Sequence, residues 1–108
     1  MNRSKVLSML GLSTKAGKVV TGEFSTEKAV KSGKAYLVIV ASDASDNTKK
    51  KFRNMCNYYE VIMKEYSDKD SLGQACGKES RASLAITDEG LAKAVTKQID
   101  SLDSLEVQ

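Results

Sequence analysis

The segment Thr21-Gly22-Glu23-Phe24-Ser25-Thr26-Glu27-Lys28 sets a glycine, an aromatic and a lysine at the entrance to a helix. Stepping about 100° per residue puts Thr26, Ala29 and Val30 on one side, the core side, and Phe24, Lys28 and Lys31 on the other. A helix start offers unpaired backbone N–H groups and the positive end of a dipole, and Gly22 lets a phosphate or base-edge acceptor come close to them. An aromatic beside two lysines can stack on an unstacked base while the ammonium groups meet acceptors or phosphates. The same spacing also suits a plainer arrangement, with Ser25 as N-cap, Phe24 packed on Ala29 as a hydrophobic staple, and the lysines merely solvated.

A second stretch, Gly77-Lys78-Glu79-Ser80-Arg81-Ala82-Ser83, is glycine-led, polar and net basic. It reads either as a surface turn or as a loop that flanks Gly22 and completes a concave site with Lys78 and Arg81. Lys49-Lys50-Lys51 with Arg53 lies opposite an apolar stripe, so it is a solvated helix face or an extension of a phosphate-binding surface. Chemistry of other kinds is poorly supplied. There is no histidine, hence no Ser-His or Cys-His nucleophile. Cys56 and Cys76 lie 20 positions apart, too few and too far for a zinc motif, and are expected to be reduced and buried. Asp43 and Asp46 lack a metal partner, and neither a dinucleotide glycine fingerprint nor a P-loop occurs. No catalysis, cofactor or metal is expected.

The elements that must position these residues are punctuated by glycine and polar clusters, because proline is absent. Val6, Leu7, Met9 and Leu10 form one side of a first helix ending near Gly11. Lys18 to Val20 is a short strand, and Ser25 to Ser32 a helix closed by Gly33. Tyr36 to Ala41 is continuous and β-branched, which marks a strand buried on both faces at the sheet centre. Ser45 caps a helix with Phe52, Met55, Cys56 and Tyr59 inward. Val61 to Met63 is a third strand, and Asp70 caps a brief helix through Leu72 and Ala75 to Gly77. Leu84 to Thr87 is a fourth strand, and Asp88 caps a last helix with Leu91, Ala94, Val95, Ile99 and Leu102 inward. Strands alternating with helices predict an α/β fold: a three-layer α/β/α sandwich around a four-stranded mixed sheet.

At 108 residues the chain suits one domain, residues 1–108, and 41% hydrophobic with 29% charged residues is a globular composition. No window approaches the roughly 20 apolar residues of a membrane span, so a cytoplasmic location is expected. Residues 1–34 carry seven Lys/Arg against two acids, and residues 88–108 two against five. A basic first third points to one cationic face and a polyanionic partner.

The residues carry a family resemblance. Val20-Thr21-Gly22 through Lys28-Ala29-Val30, Ser32-Gly33-Lys34-Ala35, the strand to Ala41 with Ser42-Asp43-Ala44, Asn57-Tyr58-Tyr59, Leu72-Gly73-Gln74-Ala75-Cys76-Gly77 and Ala82-Ser83-Leu84-Ala85-Ile86 resemble the kink-turn RNA-binding superfamily of large-subunit ribosomal proteins. The likeness spans nearly the whole chain and is closest to the small bacterial YlxQ branch. In relatives that bind kink-turns the helix start reads Gly-Thr/Ala-Asn-Glu-x-x-Lys, whose polar side chains read the edges of sheared G·A pairs. Gly22 and Lys28 match that pattern, whereas Phe24 stands at the asparagine position and Ser25 at the glutamate position. The loop Gly77–Ser83 corresponds to the second contact loop of the family. The resemblance implies binding of structured RNA, kink-turn-like or ribosomal, with a role on the ribosome or in its assembly, and the residues expected to carry it are Gly22, Glu23, Phe24, Ser25, Lys28, Lys31, Lys78 and Arg81, in a chain expected to be a monomer. Two other expectations stand beside it. The same surface can bind a protein with Phe24 as anchor, or a small ligand can sit beyond the strand ends near Gly22 and Ser42-Asp43.

Overall fold

The computed structural model describes the backbone of residues 2–107 and the side chains of residues 5–102. Nine elements follow in order: α1 Asn2–Lys15, β1 Val19–Thr21, α2 Glu23–Lys31, β2 Leu37–Val40, α3 Asp46–Tyr59, β3 Ile62–Glu65, α4 Lys69–Ala75, β4 Ser83–Ile86 and α5 Glu89–Val107. Their boundaries trace to local chemistry. Helix α1 does not stop at Gly11 but runs on to Lys15, and Gly17, at φ 74°, ends it. There the N–H of Gly17 donates to the Thr14 carbonyl and that of Lys18 to the Ser13 carbonyl. That left-handed closure suits a residue without Cβ. Gly11 serves packing instead: a Cβ there would stand 3.2 Å from the Ala75 carbonyl of α4.

Helix α2 begins at Glu23 with Gly22 as N-cap, so Ser25 is not the cap. Gly33, at φ 76°, closes it as the sequence suggests. Ser45 caps α3, its hydroxyl accepting from Thr48 N at 3.1 Å. Helix α4 is capped by Asp68, which accepts from Ser71 N at 2.7 Å, and not by Asp70, which lies within the first turn. Asp88 accepts from Leu91 N at the head of α5. Three inward assignments also shift. Tyr36 precedes β2 and is 45% exposed, Tyr59, the last residue of α3, is 41% exposed, and Ala92 replaces Ala94 in the buried stripe of α5.

The four strands form one mixed sheet in the order β1-β4-β2-β3. Only β2 and β3 run parallel; β4 is antiparallel to both β1 and β2. The two central strands, β2 and β4, are buried at every position, as strands covered on both faces must be. Helix α2 packs with α3, and α1 packs with α4 and α5, giving the two helical layers of an α/β/α sandwich. Leu10, Leu37, Ile39, Phe52, Leu72, Leu84, Ile86 and Ile99 fill the core. Both cysteines are free and buried, and burial pushes the Cys56 thiol up to about 11, well away from a reactive thiolate.

Candidate functional site

The sheet register brings Thr21, Val40, Ser83 and Glu65 to one end of the sheet, since Thr21 pairs with Leu84, and Val40 pairs with both Ser83 and Glu65. Helices α2, α3 and α4 each begin just beyond that end. Their positive dipole ends therefore share one pole of the molecule. Two of the three starts are closed by their own side chains, Ser45 and Asp68, whereas no side chain caps α2. Gly22 holds φ 94° and ψ 161°, a conformation that only glycine adopts without strain, and it turns the chain from β1 into α2. Its carbonyl takes the first helical bond from Thr26 N at 3.0 Å, and its N–H donates to the Ser83 carbonyl at 2.9 Å. The N–H groups of the first turn are left open to an external acceptor.

Side chains sort as the helical stepping requires. Thr26, Ala29 and Val30 are buried, with the Ser83 hydroxyl donating to Thr26 Oγ1 at 3.5 Å. Phe24 lies inside the first turn and is 80% exposed, which rules out a ring buried against Ala29. The staple required Ser25 as N-cap, and moving the cap to Gly22 removes its geometry. Ser25 is half-buried beside Phe24. Lys28 is exposed one turn along the helix, with no ion-pair partner among the described residues.

Glu23 and Lys31 are engaged differently. Lys51 of α3 sits 2.7 Å from Glu23 Oε2 and 2.8 Å from Glu27 Oε1, while Lys31 Nζ lies 2.7 Å from Glu27 Oε2. Hydrogen bonds from Lys31 and then Lys51 hold the Glu27 carboxyl down at about 2; the bond to Glu27 raises Lys31, and bonds to Glu23 and then Glu27 raise Lys51. The two carboxylates of the basic first third are thus neutralised within the protein.

The second loop does come to Gly22. Arg81 Nε donates to Thr21 Oγ1 at 3.3 Å, and the Ala41 N–H donates to the Ala82 carbonyl at 2.9 Å. The loop is fastened from behind by α4: Lys78 N donates to the Gly73 carbonyl at 2.8 Å and Arg81 N to the Lys69 carbonyl at 3.0 Å. Gly73 permits this, because a Cβ there would fall 1.5 Å from the Glu79 carbonyl oxygen. Lys78 is exposed and has no ion-pair partner among the described residues. The site thus offers a projecting ring, open N–H groups and cations from two sides, which is chemistry for holding a polyanion that carries flat bases.

Sequence reasoning left Thr21 and Gly73 without a role and gave Lys51 only a solvated face or a phosphate contact, whereas each acts on the site through other residues. Gly73 had a readable signal, a glycine inside a helical pattern, which generally marks close packing. The pairing of Lys51 with Glu23 and Glu27 spans separate helices and leaves no trace in local spacing. Asp43 is a structural residue, its Oδ1 accepting from Lys69 N at 2.9 Å. A groove of about 580 Å³ lies at the other end of the sheet, lined by Tyr36, Val61, Ile62, Lys93 and Lys97 among others, away from Gly22 and Asp43. Among the described residues no group of three or more Cys, Asp or Glu is placed to hold a metal, and no helix is long and apolar enough to cross a membrane.

Comparison with known proteins gives a consistent picture. The model of the ribosomal protein L7Ae/L30e/S12e/Gadd45 family matches residues 4–96. RNA-binding protein YlxQ of Bacillus subtilis is 41% identical over 92 residues, covering 85% of this chain and 92% of that protein. Large ribosomal subunit protein eL30 of Methanoregula boonei is 38% identical over 79 residues, covering 70% of this chain and 77% of that one. Among solved structures, a Bacillus halodurans protein of unknown function superposes with a TM-score of 0.86 at 38% identity, covering 89% of this chain and 97% of its own. The 15.5kD RNA binding protein of Giardia lamblia shares the fold, with a TM-score of 0.77 at 24% identity over 97% of this chain and 91% of its own.

Proposed function

The chain belongs to the ribosomal protein L7Ae/L30e/S12e/Gadd45 family, and from that premise we propose that it binds structured RNA as a monomer, without catalysis, through the start of α2 and the loop Gly77–Ser83. The observation that carries the reading is the meeting of these two segments through Gly22–Ser83 and Arg81–Thr21, around an uncapped helix start with an exposed Phe24. Gly22 and Glu23 contribute backbone, Phe24 a stacking face, Ser25 a short hydroxyl, Lys28 and Lys78 free charge, and Arg81 a planar cation already oriented by Thr21. Lys31 lies at the rim, tied to Glu27. A bent RNA held between helix start and loop is gripped from two sides, which a straight duplex is not. Because Phe24 and Ser25 replace an amide and a carboxylate, readout of sheared pair edges gives way to stacking and phosphate contact. Names of relatives that refer to RNA binding and to the large ribosomal subunit support a ribosomal RNA target and a role on or near the ribosome.

The test is titration of wild type and Lys28→Ala with kink-turn RNA and with a straight duplex at several salt concentrations, thermal unfolding serving as the folding control. Lys28 reading a base edge loses about 1–3 kcal/mol on the kinked RNA alone; a phosphate contact loses equally on both and lowers the salt slope by about one. No change on either RNA, with the fold intact, removes this helix start as the site. The 80% exposure of Phe24 favours one second reading, a protein partner anchored on that ring. Binding that barely responds to salt marks that case.

A further inference from the structure

The triplet Lys49-Lys50-Lys51 looks uniform in sequence, yet the fold splits it three ways. Lys49 lies 3.5 Å from Glu65, Lys50 is exposed without an ion-pair partner among the described residues, and Lys51 reaches across to α2. The Lys51 ammonium also sits 5.9 Å from the ring centroid of Phe52, a fully buried residue. Its two partners, Glu23 and Glu27, are the only acids within residues 1–34. Both lie on the helix assigned to RNA.

A carboxylate in the first turn of an uncapped helix is drawn toward its own N–H groups, where the dipole favours it. Glu23 does not go there. Its Oε2 takes a hydrogen bond from Lys51 at 2.7 Å, and no side chain caps the helix. Without Lys51, Glu23 competes with an RNA phosphate for the same N–H groups and repels it at short range. Resting on the RNA reading above, we infer that Lys51 is a positioning residue of the RNA site: it holds Glu23 and Glu27 against α3 and keeps the start of α2 open to a polyanion. It acts through the two carboxylates and does not itself touch the RNA.

A double-mutant cycle tests this, using wild type, Lys51→Met, Glu23→Gln/Glu27→Gln and the triple variant, each titrated with a kink-turn hairpin RNA at low and near-physiological salt. Lys51→Met weakens binding roughly 3- to 10-fold in the wild-type background, the scale expected when two surface charges are uncovered. With both glutamines present it changes affinity little, and the loss shrinks at high salt. An equal loss in both backgrounds overturns the inference, because Lys51 then meets phosphate directly, and no loss in either overturns it too. Should Lys51→Met fail to fold, Lys51→Gln takes its place in the same cycle, with the same outcomes for and against. Those results leave the RNA reading standing, whereas wild type that binds no RNA at any salt defeats both.

Discussion

Gly73→Ala is the substitution with the sharpest structural consequence, although Gly73 carries no side chain and lies behind the site. The new methyl would stand 1.5 Å from the Glu79 carbonyl oxygen and 2.5 Å from its carbon. Both are backbone atoms, which cannot swing aside as a side-chain end can. Restoring ordinary contact near 3.5 Å requires the loop to retreat by about 2 Å. That movement breaks the hydrogen bonds from Lys78 N to the Gly73 carbonyl and from Arg81 N to the Lys69 carbonyl, now 2.8 and 3.0 Å. At about 0.5–1.5 kcal/mol net for each bond, the loss of stability is about 1–3 kcal/mol. For a chain of this size that lowers the melting temperature by roughly 5–15 °C. Arg81 Nε leaves Thr21 Oγ1, so one of the two sides of the proposed RNA grip is displaced while α2 stays in place. Affinity for kinked RNA falls about 10- to 100-fold and duplex binding much less, the equivalent of one or two good contacts. Thermal unfolding and paired titrations below the melting temperature read both numbers. Unchanged melting together with kinked-RNA affinity within a factor of about two refutes the claim that α4 positions the loop.

Three further outcomes follow from the geometry. Phe24→Ala leaves the melting temperature nearly unchanged, because the exposed ring supports no core contact, yet loses about 1–3 kcal/mol of RNA binding if a base stacks there; a marked fall in melting temperature measured by calorimetry contradicts this. Lys78→Ala/Arg81→Ala weakens kinked RNA more than a straight duplex, and equal losses in filter binding would reduce the loop to general electrostatic attraction. Glu27 titrates at about 2 in the folded protein against an ordinary 4.5, so its pairing with Lys31 and Lys51 supports the fold above pH 4.5 and is lost as pH falls through about 2. Carboxyl NMR showing a midpoint near 4.5 contradicts that pairing.

Much of this protein is decided by local pattern. The buried run from Leu37 to Val40, the Ser45 and Asp88 caps, the Gly33 stop and the burial of Thr26, Ala29 and Val30 all follow from residue type and spacing, because each depends on neighbours within a turn or along one strand. The misplaced boundaries share a cause. Gly11 reads as a helix end, but it is a glycine for what packs against it from far along the chain, the Ala75 carbonyl. Ser25 and Asp70 are good capping residues, and the neighbouring Gly22 and Asp68 take the caps because the strand ends fix where the helices begin.

The sequence by itself determined which residue types stand at the candidate site and on which face: a glycine turn, Phe24 and Lys28 exposed on one helix, and a second basic loop. Only the tertiary structure decided how they meet. The antiparallel placement of β4 between β1 and β2 puts Ser83 beside Gly22 and Arg81 beside Thr21, a contact between residues 60 positions apart. The parallel course of β2 and β3 sends α3 and α4 off from that same end, so Lys51 reaches Glu23 and Gly73 seats the loop. Periodicity reports the face a side chain takes on its own element, whereas strand order, a property of the whole core, selects its neighbours.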